Sequence, residues 1–367
     1  MSLANIDPNL ACLSVNRDDI KWFSSRDKRF ATHGVLYDEE RKIYTRVPHD
    51  IAKSVSNSVF NLSHRTAGGR VRFVTDSPYI ALRASLPAFK PAPNLSITSS
   101  HGFSLYIDGQ FNQRFSPSIE DILAADYSDP YTKRIRFAAL SKEEAIPAVI
   151  SDRLIEIYLP LYGGLCDLEI GLIEGSSIKP APEYVADAPL VFYGSSITQG
   201  AGVSRPGNDY ISLAARTLNR DYINLGFSGS GNAEREIIDY MLSIDASLYA
   251  FDYNLYDSRP ERVLPPHYDL YKYIRNKRPN AAILLCDKPY YDYDTTYERR
   301  RRIIMDTYER AIKEGDNLVG ILEAKDMFGD LDRGACVADA SHPNDLGAYR
   351  IAAALSPIIE NLLSKRK

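Results

Sequence analysis

The sequence has 367 residues, 44% hydrophobic and 25% charged, which are the proportions of a soluble globular protein with room for two ordinary domains. Forty-four Lys and Arg against 48 Asp and Glu give a net charge of −4, too mild to call for a nucleic-acid partner or an acidic tail. No uninterrupted apolar stretch approaches the roughly 20 residues that cross a bilayer, so no membrane partner is expected. The opening MSLANIDPNL lacks a basic stretch followed by an apolar core. A cytoplasmic location is therefore expected, the alternative being a leader already trimmed. Cys12, Cys166, Cys286 and Cys336 lie far apart without a CxxC pair, which reads as buried thiols rather than a zinc or redox site.

Residues 1–178 read as an all-β domain. Arg70–Thr75 and Tyr79–Leu86 are short β-rich runs split by an Asp-Ser-Pro turn. Phe103–Ile107 leads into Asp108–Gly109, a strong hairpin signal. Leu154–Leu161 and Leu165–Leu172 read as a further pair around Gly163–Gly164. Many short strands with few helical patterns suggest a β-sandwich. Residues 179–188, rich in proline, read as a linker.

From residue 189 to 367 apolar runs alternate with helical patterns. The runs are Leu190–Tyr193, Tyr222–Phe227, Leu248–Tyr253, Ala281–Cys286 and Leu318–Leu322. The helical patterns are Asp209–Leu218, Ala233–Ile244, Tyr268–Arg278, Thr296–Glu314 and Leu346–Leu363. In the fourth of these, Ile304, Tyr308 and Ile312 share one face. Five such units imply an α/β domain whose five-stranded parallel sheet is covered by helices on both faces.

Ligands of open parallel sheets bind beyond the carboxyl ends of the strands, so the residues there carry the functional reading. After the first strand comes GSSITQG, in which a small-residue turn exposes the hydroxyl of Ser196 for attack on a carbonyl; the plain alternative is a polar loop. After the second comes NLGFSGSGN, where Gly229 lets a backbone N–H approach an oxyanion. Its GxxGxG order is not the GxGxxG of a dinucleotide loop. After the third, Asn254 offers an amide donor, or simply ends the strand in a turn. After the fifth comes DASHPND. Of the six histidines only His342 has an acidic residue three positions before it, Asp339. That carboxylate can accept the Nδ1 proton and leave Nε2 to receive a proton from serine. Pro343 with Asn344 or Asp345 suits the start of the last helix. The alternative is a structural histidine before a cap. Four such pieces at four carboxyl ends favour a hydrolase-type serine site.

These blocks resemble those of the SGNH hydrolases, also called the GDSL lipase/acylhydrolase family. YGSSITQG, SRPGN (204–208), NLGFSGSG, HPND and IYLPLY (157–162) look closest to the subfamily with an N-terminal GxDLY-type domain. So does the N-terminal stretch 44–48 with 66–84, and the resemblance spans nearly the whole chain. It implies a flavodoxin-like domain preceded by a jelly-roll-like β-sandwich. It also implies Ser196, His342 and Asp339 as catalytic residues, with Ser196, Gly229 and Asn254 as the oxyanion hole. The chain departs from the pattern at Ser195, where the name-giving motif has Asp, and at Ser104 in GFSLY. In addition, the subfamily often carries its asparagine about where Tyr256 stands.

The implied activity is a serine esterase for short acyl groups, often acetyl groups on carbohydrates, needing no metal or organic cofactor. An acyltransferase with the same residues and a non-catalytic carbohydrate-binding protein are the alternatives. The substrate partner would be a small-molecule or carbohydrate ester, and no long apolar lid-like segment argues for a lipid. Tyr290, with Tyr291 and Tyr293, follows the fourth strand and could stack on a sugar, the alternative being ordinary packing; His267, some way after the third strand, is a candidate substrate contact. Trp22 reads as core. Arg299–Arg302 reads as a solvated helix face in which Glu298 and Arg302 are neighbours, the alternative being an anion site.

Overall fold

A computed structural model describes residues 15–93, 95–129, 132–141, 152–186, 188–253, 266–289, 297–339 and 341–366. The chain divides into two compact units, Met1–Thr45 with His64–Pro182 and Arg46–Ser63 with Glu183–Lys367.

The first unit is a β-sandwich. One sheet runs in the order Ile20–Ser24, Asp167–Ile173, Ile80–Pro87, Arg134–Leu140. The other runs Ile178–Lys179, Arg70–Thr75, Arg153–Tyr158, Phe103–Ile107, Gln110–Phe115, and Ala31–His33 also pairs with Arg70–Thr75. Every pairing is antiparallel. Alternate residues from both sheets fill one core: Val71, Phe73, Ile155 and Ile157 from one, Ile80, Leu82, Leu168 and Ile170 from the other. The Asp108–Gly109 hairpin is present, with φ of 49° and 77° at its two turn residues.

The strands foreseen around Gly163–Gly164 exist, but they do not pair. Arg153–Tyr158 and Asp167–Ile173 lie in opposite sheets. Their connection is no tight turn: Thr66 Oγ1 donates to the Pro160 carbonyl at 2.7 Å and Leu161 N donates to Ser99 O at 3.1 Å, tying it to other parts of the unit.

The second unit is α/β. Its five parallel strands are Leu190–Gly194, Tyr222–Gly226, Leu248–Asp252, Ala282–Cys286 and Val319–Leu322, arranged second–first–third–fourth–fifth. Gly194 pairs with Gly226 on one side and Asp252 on the other, so three strands end level, side by side. Most strand residues are buried, as expected of a sheet covered on both faces. Covering helices include Tyr210–Thr217, Arg235–Ser243, His267–Lys277, Tyr297–Lys313 and Asp345–Ser364. Among the described residues no helix is long and apolar enough to cross a membrane.

Two features differ from expectation. Residues 46–63, within the 1–178 span assigned to the N-terminal domain, belong to the second unit. They form helices His49–Val55 and Asn57–Ser63, whose Val59 and Ala52, with the preceding Val47, join a core containing Phe227, Ile237 and Met241. Two seven-residue helices carry too short a pattern to stand out. In Tyr297–Lys313 the buried face comprises Arg300, Ile304, Thr307 and Ala311, each under 9% exposed, whereas Ile312 is 47% exposed. The small Ala311, one position earlier, takes the place against the sheet.

Candidate active site

The first strand ends at Gly194. Ser195 then caps a single helical turn, Ser196–Gln199, by accepting Ile197 N with its side chain at 3.3 Å. Gly200 closes that turn with φ of 97°. Ser196 is thus the first helical residue at the carboxyl edge of the sheet.

Its hydroxyl lies 2.8 Å from His342 Nε2. On the far side of the ring, Nδ1 lies 2.8 Å from Asp339 Oδ2. A carboxylate only accepts, so Nδ1 carries the proton and Nε2 is the acceptor facing Ser196. The other carboxylate oxygen accepts the N–H groups of Ser341 and His342, both at 2.8 Å. Just beyond, Asn344 caps the closing helix by accepting Gly347 N at 3.1 Å. The cap fixes where the loop ends, and Asp339 fixes how it turns. Side chains of His342 and Asp339 are 18% and 33% exposed, so the pair is reachable from solvent.

The loop after the second strand is tied to the Ser196 turn. Phe227 N donates to Gly194 O at 2.8 Å and Ser228 N donates to Gln199 Oε1 at 3.0 Å. The Asn224 amide donates to Thr198 O at 2.7 Å and accepts Gly226 N at 2.8 Å. Any side chain at Gly226 would collide with the backbone of Gln199. Gly229, the residue after the last of these anchors, has φ of 65° and open space where a side chain would stand.

Ser196, Asp339 and His342 therefore come together, and the Gly229 loop is anchored to the turn that bears Ser196. Asn254 and Tyr290 lie outside the described residues. His267 is placed differently from a substrate contact. It is 4% exposed, its Nδ1 lies 2.8 Å from Thr307 Oγ1, and its ring stacks on Tyr253 with centroids 5.7 Å apart. Burial depresses its pKa to about 3.

Sequence reasoning passed over a buried polar group behind Ser196. Asp252 ends the third strand, and its carboxylate accepts the hydroxyls of Ser195 and Thr198, each at 3.3 Å. Burial pushes it up to about 6, against the pull of Arg300. Asp287, just past the fourth strand, pairs with Arg300 at 3.0 Å, and both are under 9% exposed. The run 299–302 is therefore not uniformly solvated: Arg300 is buried, and Arg301 meets Glu323 at 3.2 Å. An acidic residue ending an apolar strand was the visible signal for Asp252 and Asp287. Cys166, Cys286 and Cys336 are buried free thiols. Among the described residues no group of three His, Cys, Asp or Glu side chains is placed to hold a metal.

Residues 187–360 match the GDSL-like lipase/acylhydrolase family, and residues 20–178 match the GxDLY N-terminus of SGNH-type esterases. Together the two matches span most of the chain, which belongs to the SGNH/GDSL hydrolases, in the subfamily carrying this N-terminal domain. No curated protein matches the sequence. Among solved structures, one described as a GDSL-like lipase from Bacteroides ovatus ATCC 8483 is 24% identical. It has a TM-score of 0.76 over 94% of this chain and 98% of that one. A salicylyl-acyltransferase from a tetracycline biosynthetic pathway is 20% identical, with a TM-score of 0.70 over 95% and 98%. An acetyl xylan esterase from the rumen bacterium Butyrivibrio proteoclasticus is 13% identical, with a TM-score of 0.56 over 94% and 99%. At these identities the likeness establishes the fold alone.

Proposed function

We propose that this chain is a serine esterase that removes short acyl groups, acetyl first among them, from a carbohydrate or another small molecule. The observation that carries the reading is the continuous line Ser196 Oγ, His342 Nε2, His342 Nδ1, Asp339, with both links at 2.8 Å.

In this reading His342 Nε2 takes the Ser196 proton as Oγ bonds to the ester carbonyl carbon. The carbonyl π pair moves onto oxygen, and the N–H groups of Ser196 and Gly229 hold the resulting oxyanion. Asp339 stabilises the imidazolium that forms and keeps the ring oriented. Collapse expels the alkoxide, which takes the proton from His342 and leaves an acyl ester on Ser196. Water then enters, His342 removes its proton as the water oxygen bonds to the acyl carbon, and collapse breaks the bond to Ser196 Oγ, which takes the proton back from His342 as the carboxylic acid departs. Hydrolysis consumes one water and needs no other co-reactant.

The acetyl xylan esterase and the carbohydrate esterases among structures of like fold make acetylated sugars the first substrates to test. The assay compares acetylated sugars with p-nitrophenyl esters of rising chain length. Activity that is highest on acetyl and falls with chain length is expected, and Ser196→Ala should lose on the order of 10³-fold or more in kcat. A Ser196→Ala enzyme as fast as the wild type would end the proposal. Fluorophosphonate labelling of Ser196 separates an enzyme from a non-catalytic sugar-binding protein. A second reading, transfer of the acyl group to an alcohol, is favoured by the salicylyl-acyltransferase of like fold. Product analysis with and without an acceptor alcohol decides between the two.

A further inference from the structure

Arg46 is 1% exposed and belongs to the second unit. Its Nη1 donates to the carbonyls of Asn224 at 2.9 Å and Gly226 at 2.7 Å, and its Nη2 donates to Leu62 O at 2.8 Å. The guanidinium lies over the ring of Phe227, with Cζ 4.8 Å from the ring centroid. Asn224, Gly226 and Phe227 lead directly into the loop that carries Gly229.

The physical reason lies in the sheet order. Among the described residues the second strand, Tyr222–Gly226, is an edge strand, so carbonyls on its outer side have no strand partner there. Residues two apart face the same side, and the two N–H groups of Arg46 Nη1 serve both carbonyls at once while Nη2 reaches Leu62 O. The N–H groups of this stretch are held by other partners. Asn224 Oδ1 accepts Gly226 N, Gly194 O accepts Phe227 N, and Gln199 Oε1 accepts Ser228 N. Arg46 supplies the carbonyl side of the same clamp.

We propose that Arg46 is a positioning residue for ester cleavage: through the carbonyls of Asn224 and Gly226 it sets the loop that aims the Gly229 N–H at the oxyanion. This inference rests on the esterase reading above. An oxyanion donor works by being in place beforehand, and displacement by about 1 Å costs up to roughly a hundredfold in rate while substrate binding is largely spared.

The test uses the full chain with Arg46→Met, Arg46→Lys and, as a control, Arg350→Met. Arg350 likewise donates to two carbonyls, of Phe328 and Leu331, away from the Gly229 loop. Turnover of p-nitrophenyl acetate is measured beside thermal unfolding. For a folded Arg46 variant, kcat should fall about tenfold or more, with KM within threefold and the pH dependence of kcat/KM unmoved; Lys should lose less than Met. Arg350→Met should keep kcat. Wild-type kcat in either folded Arg46 variant, a loss confined to KM, or an equal kcat loss in Arg350→Met overturns the proposal. Failure of both Arg46 variants to fold overturns it as well, because Arg46 then serves stability alone. Failure of the esterase reading is separately visible: the wild type is then inactive, or Ser196 is not labelled by fluorophosphonate, and this inference falls with it.

Discussion

Asp339 holds His342 at two points, accepting the ring Nδ1–H with one carboxylate oxygen and the backbone N–H of the same residue with the other, both at 2.8 Å. Orientation and tautomer are therefore set by a single side chain. Asp339→Asn presents an amide where a pure acceptor stood, and the ring can then turn its proton toward Ser196. We expect kcat to fall by on the order of 10³–10⁴ with KM little changed. Steady-state kinetics on an acetate ester check this, and a loss below tenfold would show that the carboxylate is dispensable.

The ion pair of Asp287 and Arg300 is buried on both sides, so removing one partner strands the other charge. Arg300→Met should cost on the order of 3 kcal/mol of stability. Arg302→Met, two residues along on the exposed face, should stay within about 0.5 kcal/mol. Urea unfolding of the two variants measures the contrast, and equal effects contradict the assignment.

His267 should make the second unit sensitive to acid. Its folded pKa of about 3 lies below the ordinary value near 6.5, so between these limits the unfolded chain binds the proton first. The stability it contributes is present above about pH 6.5 and drains away as pH falls toward 3. By pH 5 the loss is about 2 kcal/mol relative to pH 7. His267→Gln removes this term, so the stability gap between wild type and variant should narrow by that amount from pH 7 to pH 5. A gap that stays constant with pH contradicts the prediction.

Gly202, at φ of 93°, packs against the histidine loop. A methyl group there would lie 2.5 Å from Pro343 O and 3.0 Å from His342 Cβ. Gly202→Ala should push His342 away from Ser196 and lower kcat at least tenfold. Gly175, at φ of 89° with nothing near its Cα, is the matched control. Gly175→Ala bears the same backbone cost, about 1 kcal/mol, and should leave kcat unchanged.

What could be read from the sequence divides by range. The parallel sheet was legible because each strand is an apolar run followed by a helical period, and both are local signals. The meeting of Ser196 with Asp339–His342 was legible because chain order alone puts the ends of parallel strands on one side of a sheet. The neighbours of Ser196 were not. The partners of Asp252, hydroxyls some 54 and 57 positions earlier, and of Arg46, carbonyls 178 and 180 positions later, declare themselves only after folding. Arg300 sat in a run of four arginines whose composition suggested water, and one aspartate 13 residues earlier decided otherwise. Leu154–Leu161 and Leu165–Leu172 were each visible as strands, but a strand does not state its partner.

The excursion of residues 46–63 has a topological consequence. Because that segment belongs with Glu183–Lys367, the polypeptide passes from one unit to the other three times, after Thr45, after Ser63 and after Pro182. No single cut separates two whole folding units. A fragment beginning at Glu183 would lack Val47, Ala52 and Val59 over its core and Arg46 on its edge strand, leaving apolar surface bare and a strand edge open to pairing with other chains. Such a piece is expected to aggregate, whereas a chain that joins 46–63 to 183–367 through a flexible loop in place of 64–182 is the version with a complete interior.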